Sequence, residues 1–276
     1  MKNGFGAILS EWRSVRRLSQ LNLALLTGIS QRHISFVESG RAQPSRDMIF
    51  KLADGLDLPL RVRNDLFLAA GYAPVYQERR LDMAEMKSAR DALDRILCHH
   101  EPYPAIVTDA GWNIIMQNAA ASRIVAHCVA TDALRTLSPD GPLNFMLLMF
   151  SADGLRPHIR NWTQARATLL GRLRREAAGN PNSISGKLRR ELDVAANSPD
   201  NVVAQRDQLD DPLLTLELAV GDASIRLFST FMTFGTPQDI MVQELRIDMS
   251  FPADETTRRF LSAAAEAAWQ EPLTEP

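Results

Sequence analysis

The first 72 residues carry apolar positions at helical spacing, broken by short polar turns. Phe5, Leu9 and Trp12 fall on one face of a first helix. Cap and turn residues predict four more helices, bounded at Gln20–Leu26, Ser30–Ser39, Pro44–Leu56 and Pro59–Gly71. The pattern therefore predicts an all-α, five-helix N-terminal domain over residues 1–72.

The second and third of these helices have a distinctive spacing. Two helices that cross steeply need a small residue at their contact, a permissive turn and a branched apolar residue that fixes the second helix. Ala24, Gly28 and Ile34 supply these three features in that order. The spacing favours a helix-turn-helix.

The pattern changes after Gly71. Residues 73–90 are polar and charged, which predicts a linker or connecting helix. A helix from Arg90 ends at the prolines of residues 101–104. Two short strands, 105–109 and 112–117, then form a predicted hairpin, and Asn118 caps the helix that follows.

The rest of the chain reads as helices followed by strands. The predicted helices are 143–150, 157–177, 188–196 and 254–268, and the predicted strands are 213–220, 224–231 and 240–248. Two strands, several helices and three more strands are typical of an α+β domain. We expect a five-stranded antiparallel sheet with helices packed on one face, as in PAS-like sensor domains.

Composition changes this picture little. The chain is 45% hydrophobic and 23% charged, as in ordinary globular proteins, and it has two cysteines, too few for a disulfide framework. No signal peptide is apparent, and the strongest apolar run, residues 145–150, is too short to span a bilayer. These features predict a cytoplasmic protein that does not bind a membrane.

The charge is unevenly distributed. Residues 1–72 contain ten Lys/Arg and six Asp/Glu, a balance of +4, which leaves −6 for the remainder of a chain with net charge −2. A basic module joined to an acidic one fits a polyanionic partner.

The residues of the second and third helices resemble the phage-repressor (Cro/C1, or XRE) helix-turn-helix family. The resemblance rests on Ser19-Gln20, Leu23-Ala24, Gly28-Ile29-Ser30, Ile34-Ser35, Glu38-Ser39-Gly40-Arg41 and Pro44-Ser45. It implies a third helix that enters the major groove of a double-stranded DNA operator, with the protein acting as a homodimer.

The resemblance also implies the DNA contacts. Gln31, Arg32 and Phe36 are expected at base edges, where Arg and Gln make bidentate contacts to guanine and adenine. Phe36 replaces the polar residue often found there and either contacts a thymine methyl group or packs. The remaining expected contacts are His33 and Ser35 near the rim, Gln20 and Ser30 at phosphates, and Arg41 and Arg46 on the loop beyond.

Two further features concern charged residues. Arg13 and Glu38 match a pair that forms a buried structural salt bridge in the family. Short basic runs at 16–17 and 61–63 are either phosphate contacts or merely solvated faces.

Residues 91–270 resemble the MmyB-like ligand-binding domain, which is paired with this kind of helix-turn-helix. The resemblance rests on residues 100–104, 112–113, 118–120, 160–162, 234–239 and 251–254. It implies a sensor of a small-molecule effector, with a fatty-acid-like molecule as one candidate.

Soft apolar residues suggest how such a ligand is held, because methionine adapts to irregular shapes. Arg160 and Asn161, beside Trp162, are candidates for anchoring a carboxylate. The apolar candidates are Met146, Met149, Phe150, Phe231 and Phe234. The alternative for each apolar residue is an ordinary core position, and for Arg160 an exposed helix position.

Other chemistry finds little support. His99, His100 and Cys98 suggest a metal, but adjacent helical residues point about 100° apart and rarely share one ion. No catalytic or phosphate-binding motif is present. The sequence predicts no enzyme activity, no metal and no cofactor beyond the effector.

We therefore expect a sequence-specific DNA-binding transcriptional regulator whose C-terminal domain senses a small, apolar or fatty-acid-like ligand. One alternative is a regulator whose C-terminal domain serves only for dimerisation or protein interaction. Another is an enzyme controlled by its own DNA-binding domain.

Overall fold

A computed structural model describes residues 4–139, 141–177, 188, 190, 192 and 215–270. The chain divides into two compact units. The N-terminal unit comprises residues 1–83 together with 234–243, and the C-terminal unit comprises residues 84–233 and 244–276. Each unit is described by itself.

The N-terminal unit contains the five expected helices, which confirms the all-α class of this part of the chain. They are α1 Phe5–Val15, α2 Gln20–Thr27, α3 Gln31–Glu38, α4 Arg46–Gly55 and α5 Leu60–Ala69.

Local chemistry sets the bounds of α2 and α3. The Ser19 hydroxyl accepts a hydrogen bond from the Asn22 amide, and the Ser30 hydroxyl accepts one from the His33 amide. Between the two helices Gly28 adopts a φ of +69°, the left-handed conformation that glycine accepts without strain. The predicted turn between α2 and α3 is thus confirmed.

Fourteen buried apolar side chains form the core of this unit. Ile34 and Leu9 are fully buried within it. At one edge of this core Gly6 lies against the end of α3, where an added Cβ would fall 2.1 Å from the Glu38 carbonyl oxygen. The close approach of α1 to α3 therefore requires glycine at this position.

The segment after α5 is held by one side chain rather than by helical hydrogen bonds. The Asn64 amide group donates to the Tyr76 carbonyl oxygen, and its oxygen accepts from the amides of Val75 and Tyr76. Residues 73–83 are consequently not helical, which agrees with a linker rather than a connecting helix, and a short 3-10 turn follows at Ala84–Met86.

Residues 234–243 belong to the N-terminal unit. The Ile240 amide donates to the Gln77 carbonyl oxygen, and the Gln243 side chain accepts from the Leu60 amide at the start of α5. Asp239 is buried and pairs with Arg79 at 3.2 Å. The segment is therefore part of the structure that completes the first turn of α5.

The C-terminal unit contains a sheet and the remaining helices. The helices are α6 Lys87–His99, α7 Ala119–Cys128, α8 Thr131–Leu137, α9 Phe145–Phe150, α10 Trp162–Ala177, α11 Ile240–Glu244 (whose first four residues belong to the N-terminal unit) and α12 Glu255–Gln270.

The five strands form one antiparallel sheet, as expected, in the order β2-β1-β5-β4-β3. They are β1 Ala105–Thr108, β2 Ile114–Gln117, β3 Thr215–Val220, β4 Ala223–Met232 and β5 Arg246–Pro252. The last strand of the sequence lies in the centre, between the first and the fourth.

The expectation of a strand over 240–248 is wrong. Residues 240–244 form α11, and β5 begins at Arg246. Ile240 is buried by its contact with the Gln77 segment, a long-range partner that the local pattern does not show.

Other bounds differ less. The helix expected from Pro157 begins at Trp162, after a 3-10 turn at Arg156–His158. The helix expected over 188–196 falls largely outside the described residues. Asn118 caps α7 as expected and also accepts from the Ala105 amide, which ties this helix to β1.

Candidate DNA interface and ligand pocket

Helix α3 presents a polar face and an apolar face. Gln31, Arg32 and His33 are exposed in its first turn, whereas Ile34 and Val37 are buried in the core. The N-terminal residues of a recognition helix are those that reach base edges, so the exposure of these side chains is compatible with the predicted base contacts, which stay a prediction.

Phe36 lies one turn after Arg32. The Arg32 guanidinium is 5.3 Å from the centre of the Phe36 ring, within the range of a cation–π contact. Phe36 is half-buried. In the free protein it thus packs and supports Arg32, and its contact with a base stays a prediction.

The salt bridge implied by the resemblance is confirmed. Arg13 donates two hydrogen bonds to the Glu38 carboxylate, at 2.6 and 3.0 Å, and both side chains are largely buried. The hydrogen bonds to Glu38 raise the pKa of Arg13. Gln20 donates to the same carboxylate at 2.7 Å, so this proposed phosphate ligand is positioned by the salt bridge.

The other expected DNA contacts lie at the surface of the same unit. Arg41 is exposed, and Ser35 is partly buried within α3. The guanidinium of Arg46 lies over the rings of Phe67 and Tyr72, at 5.6 and 5.7 Å. These contacts with DNA stay predictions.

The basic runs have structural partners. Arg16 donates to the carbonyl oxygens of Leu56 and Asp57, which closes the end of α4. Arg63 pairs with Asp54 at 2.5 Å, and Arg61 pairs with Glu78 at 2.6 Å. Arg16 and Arg63 therefore link α1 and α5 to the end of α4, whereas the Arg61 pair lies at the surface.

The C-terminal unit contains a pocket with a cavity volume of about 100 Å³, one side of which is open to solvent. Its floor is one face of the sheet, and its roof is formed by α7 and α9. Apolar side chains dominate the lining, including Ile106, Ile124, Leu148, Leu218 and Leu227. The pocket suits the apolar part of a small ligand.

A small polar patch interrupts this apolar floor. Ser229 on β4 lies directly opposite Ser250 on β5, and their hydroxyl oxygens are 3.1 Å apart. Asp248, two residues before Ser250, lies on the same face of the strand. Burial raises the pKa of Asp248 to about 6. The charge of Arg172 and a hydrogen bond from the Ser229 hydroxyl act in the opposite direction, but their effect is smaller.

Arg172 on α10 is the charge partner of Asp248, at 3.9 Å. Its guanidinium is 4.2 Å from the Trp112 ring centre and 3.3 Å from that of Phe231, and it donates to Glu176. Burial lowers its pKa. Arg172 is thus held between two aromatic rings rather than directed into the pocket.

Only one of the eight residues expected to bind ligand, Met149, lines this pocket. Met146 belongs to a separate buried cluster with Trp112, and Phe150 packs edge-on against Trp162. Phe231 is half exposed beneath Arg172, and Phe234 belongs to the N-terminal unit.

Arg160 and Asn161, expected to anchor a carboxylate, make other contacts in the structure. The Asn161 side chain donates to the Thr215 carbonyl oxygen and accepts from the Glu217 amide, so it fastens the start of α10 to β3. Arg160 is exposed, and its backbone amide donates to the Glu217 carbonyl oxygen.

Sequence reasoning missed Asp248, Ser229 and Ser250. The signal was present, because residues 246, 248 and 250 are polar while 247, 249 and 251 are apolar. Ending the strand at Asp248 concealed this alternation.

No group of three or more potential metal ligands occurs among the described residues. His100 is engaged with the Ser250 carbonyl oxygen at 2.8 Å, and Cys98 is exposed. None of the described helices is both long and apolar enough to cross a membrane.

Two family models match the chain. The one described as MmyB-like transcription regulator ligand binding domain matches residues 89–264, and the one described as helix-turn-helix matches residues 14–62. Both describe parts of a transcription regulator rather than an enzyme.

Likenesses to other proteins are weaker. No curated protein matches the chain significantly. The PAS domain from Bordetella pertussis BvgS is 14% identical, with 64% of this chain and 98% of that chain covered and a TM-score of 0.26. An RNA-binding light-oxygen-voltage receptor is 10% identical, with 96% of this chain and 64% of that chain covered and a TM-score of 0.27. These scores are too low to carry a functional argument.

Proposed function

Because the chain belongs to the family of MmyB-like transcription regulators with a ligand-binding domain, we propose that it is a sequence-specific DNA-binding regulator controlled by a small apolar effector. The helix-turn-helix is the DNA-binding part of such a regulator, and the MmyB-like domain is its ligand-binding part. We further propose that the effector carries a fatty-acid-like chain. Because the DNA operator lies in the cytoplasm, regulation is expected to take place there.

The observation that carries the DNA-binding part is the division of α3 into two faces. Its buried residues fix the helix on the core, and its exposed first turn offers Gln31 and Arg32 to base edges. The operator is expected to be pseudo-palindromic, with half-sites read by the two α3 helices of a homodimer.

The apolar pocket supports the effector part. Its lining is suited to an alkyl chain, and its strands β4 and β5 flank residues 234–243 of the N-terminal unit along the chain. An effector that binds one dimer geometry more tightly than another shifts the population toward that geometry. If the two geometries bind the operator with different affinity, the effector thereby changes operator binding.

Replacing Arg32 with alanine is expected to weaken operator binding by about 1–3 kcal/mol, because a bidentate base contact is lost. Specificity at one base pair of each half-site should relax as well. The measurement is fluorescence anisotropy with duplexes selected by the wild-type protein from a random pool.

Arg80→Ala is the matched control, since Arg80 is an exposed arginine of the same unit that lies outside the helices and pairs with Asp82. It should bind the operator nearly as the wild type does. Unchanged affinity in Arg32→Ala would show that α3 has been wrongly assigned as the recognition helix.

Native mass spectrometry tests the effector and the dimer together. We expect a dimer that retains an apolar small molecule, visible as the mass difference from the denatured chain. A bare dimer whose DNA affinity responds to no apolar compound would favour the alternative, a C-terminal domain that serves only for dimerisation.

A further inference from the structure

The polar patch on the pocket floor indicates which head group the effector carries. Resting on the proposed effector function, we propose that the pocket takes an alkyl chain with a neutral hydrogen-bond-donating head, such as a hydroxyl, that meets Asp248, Ser229 and Ser250. A carboxylate head on the same chain is disfavoured.

The first argument is the chemistry of the patch. The two serine hydroxyls are 3.1 Å apart and already share a hydrogen bond, and Asp248 supplies only acceptor oxygens when ionised. A hydroxyl head donates to the carboxylate and accepts from a serine. It therefore satisfies the patch without bringing a second charge into the pocket.

The second argument is the position of the positive charges. Among the residues of the described part of the chain that line the pocket there is no Lys, Arg or His. Arg172 is stacked between Trp112 and Phe231 and serves Asp248 and Glu176. Arg160 is not part of the lining. An incoming carboxylate would thus compete with Asp248 and Glu176 for the guanidinium groups of Arg172 and Arg246, which these carboxylates already engage.

The third argument is desolvation. The Asp248 side chain is only 13% exposed and lies among apolar side chains. A carboxylate placed beside it would lose part of its own hydration, since Ser229 is exposed but Asp248 is not, and it would face a like charge. A neutral donor avoids both costs.

The test compares 1-octanol with octanoate at pH 8, where octanoate is ionised. Binding to the full-length protein is measured by isothermal titration calorimetry and by displacement of the apolar dye N-phenyl-1-naphthylamine. We expect octanol to bind about 10- to 100-fold more tightly, since a hydrogen bond to a charged group is gained and a repulsion avoided.

The variant Asp248→Asn isolates the cause, because it keeps the shape of the side chain and removes its charge. It should bind octanoate more tightly than the wild type does and should reduce or abolish the preference for octanol. Asp222→Asn, in the exposed turn between β3 and β4, is the matched control and should leave both affinities unchanged.

The outcomes separate the two levels of the proposal. Equal binding of both probes by wild type and Asp248→Asn would overturn the head-group assignment while leaving an apolar effector site. Failure of the dye, octanol and octanoate to bind at all would overturn the effector function, and the head-group assignment with it.

Discussion

Replacing Glu38 with alanine is expected to destabilise the N-terminal unit by about 3–5 kcal/mol, the usual cost of removing one partner of a buried ion pair. The Glu38 side chain is 8% exposed and that of Arg13 is 16% exposed. Removing the carboxylate leaves the Arg13 guanidinium and the Gln20 amide without their shared acceptor. Since this contact joins α1, α2 and α3, the loss should spread through all three helices.

Urea unfolding measures the change, and hydrogen–deuterium exchange of peptides from residues 5–38 locates it. Glu78→Ala is the control, because Arg61 and Glu78 form the same bidentate pair at the surface, with side chains 45% and 53% exposed. It should cost about 0–1 kcal/mol. Similar losses in both variants would contradict the structural role of the buried pair.

The double replacement Arg13→Met with Glu38→Leu tests whether the stability lost in Glu38→Ala comes from leaving the Arg13 charge unpaired. Removing both charges leaves no unpaired ion, and apolar side chains of similar length can fill the space. Most of the stability lost in Glu38→Ala should return.

Asp248→Asn is expected to stabilise the C-terminal unit at pH 8 by up to about 3 kcal/mol and to have little effect at pH 4. The folded-state pKa of Asp248 is raised to about 6, above its ordinary value of 3.8. Between these values the folded protein holds a proton that the unfolded chain has released. Stability therefore falls as the pH rises from about 4 to about 6, and a shift of about two pKa units corresponds to about 3 kcal/mol.

The charged groups around Asp248 do not reverse this sign. Arg172 faces it from α10 at 3.9 Å and favours the ionised form, but Arg172 is itself held by Glu176. Arg246, on the same strand, pairs with Glu176 at 3.4 Å. Burial outweighs these attractions, since the pKa is raised despite them.

Thermal and urea unfolding between pH 4 and pH 8 test this expectation, with exchange of β5 peptides as the local probe. The exposed-turn variant Asp222→Asn should follow the wild type at every pH. A constant difference between Asp248→Asn and wild type across the range would mean that Asp248 does not titrate near pH 6.

The N-terminal unit was largely predictable because its determinants are local. Ser19, Gly28 and Ser30 mark the ends of α2 and α3 in the sequence and in the structure. The pairing of Arg13 with Glu38 came from resemblance rather than from spacing, and the structure confirms it.

The C-terminal unit was predictable in class but not in its site. The alternating pattern identified β1 to β4 but misplaced β5, and the partners of individual side chains depend on distant segments. Asn161 looked suited to a ligand but bonds to the backbone of β3, more than fifty residues later. Asp248 became visible as a pocket residue only when β5 was placed at the centre of the sheet.

The assignment of residues 234–243 to the N-terminal unit has a consequence for how the chain is made. During synthesis these residues emerge only after residues 84–233. Until then the Leu60 amide lacks the Gln243 side chain, and Arg79 lacks Asp239. A fragment that ends at residue 83 stays in that state, so cutting the chain after residue 83 removes both contacts from the N-terminal unit.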